Sequence, residues 1–238
     1  MELDYSFLEK TLLLVLLAIP TTLKLTVVSV LAAAPFSLFI ALVRLHRRGA
    51  LLRLVTAYVT FVRGTPIVLQ ILLVYSLLPS ALKAGAAGLG LSVDVFALNP
   101  VFYAYAVFTL NTIALLSEVF RSALGNIAPG QMEAALCAGL TKPQAYAYII
   151  LPQALVSAMP NLCNLTVNLI KGTSLAFLMT VQDMTATAKI AASYGYNYIE
   201  AYLDVFVGYV LVCSVVQCLF HYAERHVGRY RLVRQKQG

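Results

Sequence analysis

Four stretches of this 238-residue chain carry no charged side chain over a length that crosses a bilayer: residues 25–43, 95–117, 143–170 and 205–223. A membrane-spanning helix needs about 20 predominantly apolar residues. A fifth stretch, 54–82, is interrupted only by Arg63. The pattern predicts an all-α integral membrane protein with five spanning helices. Composition agrees: 61% of residues are hydrophobic and 11% charged, against about 25% charged in an ordinary soluble domain.

The net charge of +7 could suggest nucleic acid, but its placement argues against that. Arg44, Arg47, Arg48 and Arg53 form one cluster; Arg225, Arg229, Arg231, Arg234 and Lys236 form another. Basic clusters flanking apolar spans mark cytoplasmic loops. Five crossings put both clusters inside, the N-terminus outside and the C-terminus in the cytoplasm. Residues 225–238 then form a basic cytoplasmic tail. The acidic N-terminal region (Glu2, Asp4, Glu9) has no cleavage pattern and is expected to be retained. Within the segment 1–19, residues 5–18 are apolar but short. They are expected to form an interfacial helix ending at Pro20, with a sixth span as the competing possibility. The Gly-rich segment 83–99 is expected to be a flexible outer connection.

Cys137, Cys163, Cys213 and Cys218 show no metal or disulfide spacing and are expected to be small apolar residues. His46, His221 and His226 are scattered, no metal site is expected, and no phosphate-cradling Gly-x-x-x-x-Gly-Lys-Ser/Thr sequence occurs.

Segment 128–152, between the third and fourth spans, is too well organised for a plain connector. Pro129-Gly130 ends the preceding helix. Glu133 to Leu136 are strong helix formers. Gly139 suits a helix stop, and Thr141 with Pro143 suits a new start. The sequence Glu133-Ala134-Ala135, then Gly139, then Ile149 and Leu151-Pro152 resembles the EAA signature of ABC-importer permeases. That resemblance implies a type I importer permease domain over 20–224. It also implies a coupling helix docked on a separate ATPase dimer, with Glu133, Ala134, Ala135 and Gly139 forming the contact. A second permease copy, an extracytoplasmic binding protein and a small polar amino acid are the other implied partners. ATP is bound by the ATPase, and the permease is expected to be neither an enzyme nor a cofactor protein.

Three further stretches are similar to the polar amino acid branch of that family: Phe61-Val-Arg-Gly-Thr-Pro66, Ala114-Leu-Leu-Ser-Glu118 with Arg121, and Lys171-Gly-Thr-Ser-Leu175. Leu115 and Gly172 depart from its pattern. The stretch 171–202 looks most like L-cystine permeases. Candidate substrate contacts are Arg63, Thr65, Glu118, Thr173, Ser174 and Asp183. Each has a structural alternative. Arg63 sits about a third of the way into its span and could pair with Glu118. Residues 171–174 could break the helix and present a restarted N-terminus to a carboxylate. Asp183 could cap a helix or pair with Lys189. Glu200 and Asp204 are expected to be exposed. An ion-coupled secondary carrier is the rival function, weakened by the lack of an internal repeat.

Overall fold

The computed structural model describes residues 3–46, 49–90, 94 and 98–235, with side chains to residue 226. Every regular element among them is helical. These are α1 (Tyr5–His46), α2 (Ala50–Gly64), α3 (Ile67–Gly88), α4 (Pro100–Gly125), α5 (Pro129–Cys137), α6 (Lys142–Ala145), a π-helical turn (Tyr146–Ile150), α7 (Leu151–Gly172), a 3-10 segment (Thr173–Met179), α8 (Met184–Ser193) and α9 (Tyr198–Gln235). Five segments are long and apolar enough to cross a membrane: Tyr5–His46, Ile67–Gly88, Pro100–Gly125, Lys142–Met179 and Tyr198–His226. The expected count of five spans holds.

Helix α1 is the spine of the bundle. Its buried residues Thr11, Val15, Ala18, Thr22, Leu25, Ser29, Ala33, Ser37 and Ile40 recur at helical spacing. Small side chains let neighbouring backbones approach closely, which is how helices associate in lipid. Val15 and Ala18 pack with Ile170, Met184, Ala201 and Val212. Leu25 packs with Ile71, Val107 and Phe108, and Ala33 and Ile40 with Val55, Val59 and Ile113. Ala41 packs in a fourth layer with Ala123, Ile150 and Ala154.

Residues 5–18 are not a separate helix, because α1 runs unbroken through Pro20. Proline removes one backbone hydrogen bond, but Pro20 is exposed and the buried stripe passes on the opposite side. Asp4 starts the helix: its carboxylate accepts the Ser6 and Phe7 N–H groups, both at 3.0 Å. The Phe7 N–H, then the Ser6 hydroxyl, hold that carboxyl below the usual carboxylate range. Glu200 accepts the Asp4 N–H at 3.2 Å. At the other end of this contact a Cβ on Gly208 would come 2.7 Å from Val15 Cγ1, so only glycine allows α9 this close. The two contacts set α1 and α9 running the same way, as first and fifth spans must.

Glu200 and Asp204 are 6% and 5% exposed, contrary to expectation, because this α1–α9 contact covers them. The cysteines are all free, with Cys213 buried but Cys137 and Cys218 exposed. Residues 91–93 and 95–97 of the outer connection, Arg47, Arg48 and residues 236–238 lie outside the described residues.

The second span also differs from expectation. Residues 54–82 are not one helix but parts of α2 and α3. Thr65 (φ −116°, ψ 140°) and Pro66 are extended between them. Proline disfavours the α conformation in the residue before it and cannot donate to Val62. Arg63 therefore sits in the last turn of α2 rather than inside a continuous span.

Candidate functional site

Helix α5 begins with Pro129 at its first position and ends in a left-handed glycine. The Gly139 N–H donates to the Leu136 carbonyl at 3.0 Å and the Leu140 N–H to the Ala135 carbonyl at 3.1 Å, a Schellman pair that satisfies the helix's last acceptors. Gly139 has φ +84°, and a Cβ there would meet nothing within 4 Å. The glycine is needed for its backbone conformation, not for space. Two residues on, the Gln144 side chain accepts from the Thr141 N–H at 2.9 Å and the Thr141 hydroxyl at 2.8 Å. This capping box starts α6. The pair is braced from behind. Gln153 donates to Gln131 at 3.1 Å, and the Tyr146 hydroxyl lies 2.6 Å from His46 Nε2 at the end of α1. Of the signature residues, Ala135 is buried, while Glu133, Ala134 and Gly139 are exposed. Glu133 forms no ion pair among the described residues. The result is a rigid helical corner presenting an unused acid and small side chains outward.

Arg63 and Glu118 are brought together, with Arg121 of the same motif and with Arg44, which the sequence reading had not joined to them. Glu118 Oε1 lies 2.6 Å from Arg44 and 3.0 Å from Arg63; its Oε2 lies 2.9 Å from Arg121. One carboxylate thus ties the last turns of α1 and α2 to α4. Arg44 could have been suspected from its place in the last turn of an apolar helix, since a cation there seeks a partner.

Thr65 belongs to a different device. Pro66 leaves the Val62 carbonyl without its helical donor. The Gln70 amide replaces it, donating to Val62 O at 2.8 Å, Thr65 O at 3.1 Å and Thr65 Oγ1 at 2.9 Å. Asn111 of α4 in turn donates to Gln70 Oε1 at 2.9 Å. Gln70 and Asn111 escaped the sequence reading, although each is a lone amide in an apolar run. Gln70→Leu should orphan two carbonyls at about 1–3 kcal/mol each. The expected result is a lower thermal midpoint in detergent, and Gln70→Glu should recover little of it because a carboxylate offers no donor.

Thr173 and Ser174 do not start a new helix. Gly172 stays helical, and the chain continues as a 3-10 segment until Thr180, which turns left-handed at φ 60°. The buried Thr173 hydroxyl donates back to Ile170 O at 2.7 Å. The restart falls at Asp183, whose Oδ1 accepts the Ala186 N–H at 2.8 Å and whose Oδ2 accepts the Tyr209 hydroxyl at 3.0 Å. Asp183 is fully buried. Lys189 stands instead over the Phe177 ring, 3.9 Å from its centroid. Asp183→Asn keeps one oxygen for the Ala186 N–H and turns an NH2 donor toward the Tyr209 hydroxyl oxygen, which also has Thr185 Oγ1 at 3.3 Å, and asparagine caps helices as well as aspartate does. Transport by that variant should stay close to wild type, whereas Asp183→Leu should destabilise. Loss of transport in Asp183→Asn without loss of stability would instead make the charge a substrate contact.

Among the described residues no group of histidine, cysteine, aspartate or glutamate could hold a metal. A helical bundle with five segments long and apolar enough to cross a bilayer defines an integral membrane component. Residues 33–229 match the family model described as "Binding-protein-dependent transport system inner membrane component", and the chain belongs to that family. It is an importer permease subunit. The L-cystine transport system permease protein TcyL of Bacillus subtilis (strain 168) is 32% identical over 209 residues, 88% of this chain and 85% of that one. The probable amino-acid permease protein YxeN of the same organism is 34% identical over 224 residues, covering 93% and 96%. A structure described as "Crystal structure of an amino acid ABC transporter with histidines" superposes with a TM-score of 0.77 at 27% identity, covering 95% of this chain and 100% of that one.

Proposed function

We propose that this chain is the permease of an ATP-driven importer for polar amino acids, with L-cystine or a related amino acid as cargo. The observation that carries this reading is the α5–α6 corner. Its exposed Glu133, Ala134 and Gly139 sit on a helix fixed at both ends and braced against α1 and α7. An ATPase dimer grips such corners on two permease copies, and its closure on ATP moves the attached helices as rigid bodies between two packings. A binding protein delivers the amino acid at the outer face, where the N-terminus lies, while the C-terminal basic tail stays in the cytoplasm. The permease hydrolyses nothing itself. Reconstitution with the cognate ATPase and binding protein tests this: uptake should require ATP and track the binding protein's ligand. Uptake driven by an ion gradient without ATP would overturn it in favour of a secondary carrier.

A further inference from the structure

Helix α7 crosses the bundle with one polar side. Ser157, Asn161, Asn164, Asn168 and Lys171 recur every three or four residues, so they stack along a single face. Asn161, Asn164, Asn168 and Lys171 are all exposed. The residues α7 sends into the core are apolar: Ala154, Ala158, Leu165 and Leu169 among them. Helix α9 repeats the arrangement with exposed Ser214, Gln217 and His221. The two faces meet at a groove of about 580 Å³ whose wall includes Asn164, Ser214, Gln217, His221, Cys163 and Cys218. The three asparagines, Ser214 and Gln217 make no side-chain hydrogen bond within the described chain.

Lipid satisfies no amide, and polar groups at membrane depth face protein or a wet cavity. A lysine in a span obeys the same rule more strictly. Apolar α9 residues such as Leu219 (63% exposed) show what the lipid side of this helix looks like. The candidate residues Thr65, Thr173 and Asp183 are engaged inside the chain and are not free for a solute.

The geometry points to the polar faces of α7 and α9 as the wall of the aqueous solute path, with Asn161, Asn164, Asn168 and Gln217 as a ladder of amides for a zwitterionic amino acid and Lys171 drawing its carboxylate. An amide both donates and accepts, so it meets the ammonium and the carboxylate in turn. Lys171 stands at one end of the ladder and Glu224, also in the groove wall, at the other; the amides between them carry no fixed charge and pass the zwitterion on rather than trapping it. The cargo in this assignment rests on the amino acid reading above; the wetness of the face does not.

The test uses the complete importer in lipid nanodiscs, with Cys137, Cys163, Cys213 and Cys218 replaced by serine or alanine. Asn161→Cys, Asn164→Cys and Asn168→Cys are each compared with Leu219→Cys for reaction with a charged, membrane-impermeant methanethiosulfonate. The reacting species is the thiolate, which a lipid-facing site suppresses, so the asparagine positions should react at least about tenfold faster than position 219. Excess transported amino acid should slow them severalfold. Equal rates at all positions would overturn the proposal, because the face would then be turned to lipid. So would reaction in the isolated chain but not in the assembled complex, which marks a dry contact between copies. Fast labelling that the cargo leaves unchanged during active uptake would also overturn it. If the complex takes up no amino acid while labelling stays fast, the wet face stands and the amino acid reading is what fails.

Discussion

Glu118→Ala is expected to cost about 1.5–3 kcal/mol, the range for losing hydrogen bonds to a charged group, because this ion cluster is partly buried. The reason is the imbalance around this carboxylate. Three guanidinium groups converge on it within 3.0 Å, and among the described residues it is the one acid they share. The Arg44 side chain is 16% exposed and that of Glu118 17%, so water compensates Arg44 poorly once the acid is gone. Arg63, with its side chain 52% exposed, can turn to solvent, and Arg63→Ala should cost only about 0–1 kcal/mol. Thermal unfolding in detergent should therefore rank Glu118→Ala well below Arg44→Ala, and Arg44→Ala below Arg63→Ala. Adding Arg44→Met to Glu118→Ala should restore part of the loss, since the repulsion is then removed. If Glu118→Ala unfolds like wild type but fails to transport, the carboxylate is a substrate contact and not a brace.

The spans could be read from sequence because a single scalar, apolar length, decides them. What the sequence concealed was set by contacts between spans. Pro20 looks like a terminator when the chain is read locally, yet the small-residue stripe from Thr11 to Ile40 runs through it, and packing on α8 and α9 keeps the helix whole. Pro66 looks like a kink; it becomes a true break because Gln70, held by Asn111 from another helix, supplies the donor the proline lacks. At Thr173 and Ser174 the local signal for a helix start was present but had no use, since a back-bonded hydroxyl is equally satisfied there. The start went to Asp183, where Tyr209 of α9 supports the cap. Glu200 and Asp204 were misplaced for the same reason: their burial depends on α1 reaching as far as Asp4. The α5–α6 corner was the opposite case. Its glycine stop at Gly139 and the start capped by Thr141 are local chemistry, and both appear where the sequence put them; Pro129, read as ending the preceding helix, instead opens α5 after α4 has stopped at Gly125.

That corner also carries the prediction with the largest functional effect. Glu133→Lys reverses an exposed charge that has no partner among the described residues, so the fold has little to lose and stability should change by less than about 0.5 kcal/mol. Transport should nevertheless collapse, because a charge placed against the wrong neighbour in a docked interface costs several kcal/mol, and each ~1.4 kcal/mol is tenfold in affinity. ATP hydrolysis by the assembled complex should lose its dependence on the loaded binding protein. Gly139 separates backbone from contact. Gly139→Ala meets no steric obstacle but must hold φ +84°, a left-handed conformation costing an L-residue roughly 1–2 kcal/mol. Gly139→Asn tolerates that conformation better and should retain more transport than Gly139→Ala, although its side chain is larger. Gly139→Arg should fail on both counts, adding bulk and charge to the exposed face. The order Asn above Ala above Arg follows only if the helix end is held rigid against a partner. Equal transport by all three, together with normal transport in Glu133→Lys, would mean that nothing docks on this corner.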